Sequence, residues 1–260
     1  MPVYAELLPD QLEILWSEGS AAIIPWGALE WHGSHLPLGL DGIVAQWFSE
    51  KLAERTNGVL LPGFWLPMTT LPHPTSIQVR TETLRMVLDD LLSGLYVSGA
   101  RTICLVSGHY AQGHQLELAE AAMQTMEDYS GLRILTAAPL ELLGDENLLD
   151  HAAHYETAQL QSIRPDLVHL EFLAPQSGGV HATGILGKTP QMSSAEEGAA
   201  LLSAGLDTWE EWIRSADFDS LNRHYKGVFD QNEHYVNTYY RGSWEDAIKS
   251  WWTDKGAEIL

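Results

Sequence analysis

Cysteine is nearly absent: Cys104 stands alone, so no intramolecular disulfide can form. That fits a reducing compartment, and a cytoplasmic protein is expected. Cys104 lies in the apolar run 102–106, where a buried, inert thiol is expected rather than a reactive one. No apolar stretch approaches the length of a spanning helix, so no membrane role is expected. The opening MPVYAELLPD has neither a basic region nor a long apolar core, so it does not read as a signal peptide. Basic residues are also scarce, with 14 Lys plus Arg against 35 Asp plus Glu and a formal net charge of -21. Such a field repels a polyphosphate backbone, which argues against nucleic acid as a partner. Charged residues make up only 19% of the chain, beside 10 Trp, 9 Tyr and 5 Phe. An aromatic-rich free surface would explain this, and so would surface buried between subunits. No linker, repeat or low-complexity tract divides the 260 residues, so a single domain over 1–260 is expected.

What is present is a cadence of strand, loop and helix. Helices are predicted at 8–16, 42–56, 81–98, 115–126, 154–163 and 193–216 from apolar spacing. Segment 81–98 has Leu84, Val87, Leu88, Leu91, Leu92 and Leu95 on one broad face and Gly99 as its stop. Segment 193–216 opens on SSAEEG, with Ser193 as the cap and Glu196 three residues on. Buried strands are predicted at 21–26, 59–66, 102–107 and 132–137, with a shorter one at 76–79. Residues 174–191 read as a Gly- and Pro-containing loop with a hairpin. The alternation predicts an α/β protein, a three-layer α/β/α domain around a mainly parallel sheet. Catalytic loops of such a sheet gather at the carboxyl ends of its strands. About 218–260 forms an aromatic-rich C-terminal extension. It has three open roles: packing across the domain, covering another subunit, or lining a pocket.

Polar clusters fall where those strand ends are expected. Glu30 and His32 are two apart, so an extended backbone points both the same way. Asp41 can return to them through a loop containing Gly33, Pro37 and Gly39. Two carboxylates and an imidazole suit Zn²⁺ or Mn²⁺, although each residue alone is more often a hydrogen-bonded loop residue. Ser107-Gly108-His109-Tyr110 follows the third buried strand and brings His109 to the same edge. Ser107 is a weak nucleophile candidate, because SGHYAQ is not a G-x-S-x-G elbow. His114 begins the next helix, either supporting a site or merely solvated. The run H-A-A-H-Y-E-T at 151–157 offers Glu156 near a helix start and His151 as an acid/base, with His154 and Tyr155 ambiguous. No H-E-x-x-H sequence is present.

The run PWGALEWHGSHLPLGLD resembles the signature of the creatininase, or creatinine amidohydrolase, family. VSGHY, HAAHYET, and then IRPDLV with GILGKTPQMSSAEEG follow in the family's order, over roughly residues 20–205. The resemblance implies two divalent ions, Zn, Mn or Fe, sharing a bridging carboxylate. It assigns Glu30, Asp41 and His109 to one ion and His32, Asp41 and Glu156 to the other. Asp41 is the bridge. It also implies that His151 shuttles a proton, that Tyr110 faces the substrate, and that His35 lies just behind the ligands. His73 and His114 are further supporting candidates. The expected activity is hydrolysis of a C–N bond (amide, lactam or formamide) in a small cyclic or polar substrate, by a homo-oligomer of up to a hexamer, as in creatininase.

Creatinine itself is disfavoured as the substrate. Ala111 stands where creatininase has a glutamate, and Asn147 where it has a pocket tryptophan. Alternatives are cleavage of a C–C bond in a cyclic polyol ketone, as in some relatives, and a non-enzymatic ligand-binding protein on the same fold.

Overall fold

The computed structural model describes residues 1–173 and 179–255. Its sheet is built from β1 (Ala22–Trp26), β2 (Val59–Leu60), β3 (Thr102–Ser107) and β4 (Arg133–Ala137). The order is β2-β1-β3-β4, and every pairing is parallel. All residues of β1 and β3 are buried. Sheets covered on both faces favour such unbroken apolar strands over alternating ones. The helices α1 (Pro9–Ser17), α2 (Leu40–Thr56), α3 (Thr81–Ser98), α4 (Gln112–Asp128) and α5 (His154–Ile163) follow one another between and after the strands. A single short turn of helix, α6 (Val180–Thr183), precedes α7 (Ala195–Ser215), α8 (Phe218–Tyr239) and α9 (Trp244–Asp254). The packing separates them into α2 with α5 and α7, and α3 with α4 and α8. The expected α/β layering is therefore present.

α3 matches its sequence periodicity: Leu84, Leu88, Leu92 and Leu95 are buried, and Gly99 ends it at φ 115°. β2 is shorter than expected. Pro62 and Gly63 stop regular pairing, although Leu61 N–H still reaches Ile23 O and Phe64 N–H reaches Pro25 O. Those bonds show that the edge of Pro25 faces this side, so its missing N–H falls where the regular ladder has already ended. The strand expected at 76–79 is only an isolated bridge between Ile77 and Leu29. The cap of α7 is Ser194, which accepts from Glu197 N–H, one residue later than the expected Ser193. The hairpin expected at 174–191 is absent from its described part, where α6 stands instead; 174–178 lie outside the described residues.

The aromatic C-terminal segment packs back on this framework. Tyr225 of α8 donates its hydroxyl to Ile134 O at 2.6 Å and accepts Thr136 N–H at 3.1 Å. It thereby covers the outer side of β4, which would otherwise expose unpaired backbone. α9 is tied down at its first turn. Trp244 donates its indole N–H to Glu117, and Glu245 accepts Thr81 N–H at 3.0 Å.

Candidate metal centre and its relatives

The chain passes from β1 to β2 on one side and then to β3 on the other. The carboxyl ends of β1 and β3 thus flank a point where the winding direction reverses, the usual crevice of an open α/β sheet. Two glycines let α2 enter it. A Cβ on Gly27, just after β1, would lie 2.3 Å from Gly42 Cα, and one on Gly108, just after β3, would lie 2.1 Å from Asp41 O. Only a residue without a Cβ fits at either place, and the result is that the first turn of α2 holds Asp41 between the two strand ends. Asp41 is thus a helix residue, where a loop was expected.

The cluster divides about Asp41. On one side His109 Nδ1 is 2.9 Å from Glu30 Oε2 and 3.2 Å from Asp41 Oδ2. On the other, His32 Nε2 is 2.9 Å from Asp41 Oδ1 and 3.6 Å from Glu156 Oε2. Glu30, Asp41 and His109 form one group whose donor atoms lie within 4.8 Å of one another, and His32, Asp41 and Glu156 form a second. All are buried.

The backbone fixes both imidazoles. His32 Nδ1 lies 3.0 Å from Glu30 O, and His109 Nε2 lies 2.9 Å from Met68 O. A carbonyl only accepts, so each of these nitrogens must carry the hydrogen. When neutral, each ring then turns a lone pair on the carboxylates. Glu30 Oε2, His32 Nε2 and both oxygens of Asp41 are buried without a hydrogen-bond partner. Lone pairs converging on buried carboxylate oxygens repel unless a cation lies among them. The donor set, two imidazoles and three carboxylates divided by a shared aspartate, fits two divalent ions. The electrostatics agree. Burial pulls the His32 imidazole down, but the charges of Asp41 and Glu156 outweigh it and lift it to about 10. His109 is likewise lowered by burial and raised further by Glu30 and Asp41. A site that draws protons this strongly draws metal ions for the same reason.

Backbone donors anchor two of the carboxylates, Glu30 through its other oxygen and Glu156 through the oxygen that faces His32. Leu71 N–H donates to Glu30 Oε1, and Ala152 N–H donates to Glu156 Oε2 at 2.6 Å. These donors come from the neighbourhood of Thr69 and from Ala152, two non-glycine residues at positive φ, 57° and 49°. Asp150 adds a second anchor for α5, accepting Tyr155 N–H and Glu156 N–H at 2.8 and 3.0 Å. None of these supports was marked in the sequence, since backbone donors and a lone aspartate carry no motif.

His151 sits beside the cluster, its ring 4.4 Å from that of His32. Its Nε2 faces Trp31 O at 3.0 Å. Burial and the neighbouring His32 hold it down to about 4. It also comes within ligand distance of Glu30 and His32. Tyr110 places its hydroxyl 3.4 Å from Gln159 Oε1, and burial followed by the charge of Glu156 keeps the phenol well above its ordinary value. His35 is buried behind the ligands, 3.3 Å from Thr157 Oγ1. His114, rather than being solvated, is fully buried and meets His109 edge-on with ring centroids 5.0 Å apart. His73 stands apart: it stacks on Trp31 at 4.3 Å and pairs with Thr75 at 2.7 Å. His154 pairs with Glu197 at 2.6 Å. Ser107 accepts His109 N–H and donates to His109 O, a structural role at the strand end. Cys104 is buried, and burial pushes its thiol up to about 12.

A cavity of about 270 Å³ opens onto the cluster. Its lining includes Glu30, His109, His151 and Glu156 of the cluster, together with Tyr110 and Ala111. The C-terminal helices supply Asn232, Tyr235 and Trp251, so two of the three roles open for this segment are filled. Asn147 is exposed and not among the lining residues, although it hydrogen-bonds Asp145, which is.

A family model described as creatininase, creatinine amidohydrolase, matches residues 5–213. Creatinine amidohydrolase of Pseudomonas putida is 26% identical over 192 residues, 61% of this chain and 73% of its own length. The mycofactocin precursor peptide peptidase of Mycobacterium tuberculosis is 28% identical over 235 residues, covering 80% of this chain and 90% of its own. A solved manganese creatininase superposes with a TM-score of 0.70 at 20% identity, over 82% of this chain and 97% of that one, and so shares the fold. The matched region contains every residue of the metal cluster, and the chain belongs to the creatininase family.

Proposed function

We propose that this protein is a dinuclear-metal hydrolase that cleaves an amide-type C–N bond in a small substrate. The observation that carries this is the pair of backbone-locked imidazoles whose lone pairs face the unpartnered oxygens of Asp41 and Glu30. Glu30, Asp41 and His109 would hold one ion and His32, Asp41 and Glu156 the other. When bound, such a pair supplies a water acidified toward neutral pH and an electrophile for a carbonyl oxygen.

The chain's own groups do the rest. With Nε2–H committed to Trp31 O, His151 keeps Nδ1 free as a base. Because it is held down to about 4, it starts neutral, and a proton it gains passes readily to a departing nitrogen. Tyr110 stays protonated and can donate its hydroxyl to the substrate. The confined cavity favours a small molecule. No helix among the described residues is long and apolar enough to cross a membrane. We assign the protein to the cytoplasm on its single cysteine. Large exposed side chains such as Met86 and Val97 on α3 and Ile14 on α1 support homo-oligomer formation, and a hexamer rests on the resemblance to creatininase alone.

The test is a panel of formamides, lactams and acylated amines, with a cyclic polyol ketone as comparison, given to chelator-stripped and zinc- or manganese-restored protein. Ion-dependent release of amine from the first group is expected. Turnover confined to the ketone would replace the C–N reading with C–C cleavage. No turnover and no ion uptake would leave a ligand-binding protein.

A further inference from the structure

The part of the cavity lining that lies outside the family's motifs has its own chemistry. Glu141 lies in the 3-10 turn Glu141–Leu143 that follows β4. Its Oε2 is committed, accepting Ala138 N–H at 2.8 Å and the Gln115 amide at 3.4 Å. Its Oε1 takes no hydrogen bond among the described residues. Burial raises the Glu141 carboxyl, opposed in part by the neighbouring His224 and by the Ala138 and Gln115 hydrogen bonds. Asn232 is 8% exposed and lines the same cavity. Its Nδ2 donates to Val228 O at 2.9 Å, which leaves Oδ1 as an unpartnered acceptor among the described residues. Tyr235 and Trp251 add aromatic rings to the lining, with Lys255 Nζ 5.5 Å from the Trp251 ring centroid. Asp145 and Glu146 lie at the rim, and no lysine or arginine lines the cavity among the described residues. Lys188, the cation near that rim, donates to Tyr155 at 2.9 Å instead.

Open acceptors, carboxylates and aromatic rings in a lining that holds no lysine or arginine among the described residues select one kind of ligand. They attract a positively charged donor through charge-assisted hydrogen bonds and ring faces, and they repel an anion. We propose that Glu141, Asn232, Tyr235 and Trp251 form a subsite for a protonated amine or guanidinium on the far end of the substrate. This deepens the hydrolase proposal above, because the cation would lie at one end and the scissile bond at the other. Asn232, Tyr235 and Trp251 fall beyond residues 5–213, the part matched by the family, so this selectivity would belong to the chain's own C-terminal helices.

The test uses ω-acetamidoalkylamines of graded length, with ω-acetamidoalcohols and ω-acetamidoalkanoates of equal length as neutral and anionic controls. Binding is measured by calorimetry on the full chain, both as purified and zinc-loaded, and acetate release is followed in parallel. At the best length the amine should bind at least about tenfold more tightly than the alcohol, and the alkanoate more weakly still. Glu141→Gln keeps an acceptor for Ala138 N–H and should bring the amine-to-alcohol ratio close to one. The inference is overturned if the alcohol or alkanoate binds as well as the amine at every length, or if folded Glu141→Gln keeps the full preference. Should that variant not fold, the wild-type series decides alone. Acetate release without charge preference would sink the subsite and leave the hydrolase. Charge preference with no release from the zinc-loaded protein would do the reverse.

Discussion

Asp41 and His151 separate two jobs that a metal hydrolase must divide. Asp41 offers one oxygen to each half of the cluster, so no other side chain replaces its geometry. His151 is held by Trp31 O beside the cluster, and its loss removes a proton carrier while the Asp41-centred groups stay intact. His151→Ala should therefore keep its metal content and lose turnover by about 10²- to 10⁴-fold, checked by elemental analysis beside steady-state rates. Unchanged turnover at unchanged metal content would show that some other group carries the proton. Much of this scale was legible in the sequence: Glu30 and His32 alternate on an extended segment, and His109 directly follows a buried strand. The supports were not. Met68 O, Leu71 N–H and Ala152 N–H act through backbone atoms, which any residue type can supply. His73 stayed open in sequence because stacking on Trp31 and supporting a site leave the same trace.

At the scale of elements, the site depends on α2 pressing against the ends of β1 and β3. Gly108→Ala would drive a methyl into Asp41 O. It should cost about 3 kcal/mol or more, with a lowered denaturation midpoint and weakened ion binding in the folded fraction. Gly94 gives the contrast, since it is a helical glycine in α3 where an added methyl would meet nothing within 4 Å. Gly94→Ala should raise stability by roughly 0.5–1 kcal/mol. Equal effects from the two substitutions in urea denaturation would remove the case for close approach. Long, strongly periodic helices such as α3 were readable in sequence because burial follows the apolar face. The strand expected at 59–66 failed because Pro62 and Gly63 end pairing within an otherwise apolar run. The cap of α7 shifted by one because Ser193 and Ser194 are both competent caps.

Over the whole molecule, a surplus of acid surrounds a centre that needs cations. The formal net charge is -21, and buried carboxylates concentrate at the cluster. Ions that bind only the folded chain stabilise it, by about 4 kcal/mol when free ion exceeds its dissociation constant a thousandfold. Chelation should therefore lower Tm by on the order of 10 °C, and zinc or manganese should restore it in differential scanning calorimetry. An unchanged Tm would mean that the folded and unfolded chains hold ions equally, or hold none. The parallel α/β architecture was visible in the strand and helix cadence. The part played by the aromatic C-terminal segment was not, because α8 is placed by contacts with α4 and β4 and α9 by α8, Thr81 and Glu117, none of which leaves a local pattern.

The shared aspartate is the centre of the account, and counting ions tests it most directly. Native mass spectrometry with elemental analysis, on wild-type chain and Asp41→Ala both reconstituted with zinc, should find two ions per wild-type chain and a loss of tight binding at both positions in the variant. Two tightly bound ions in Asp41→Ala, or none in the wild-type chain, would contradict it.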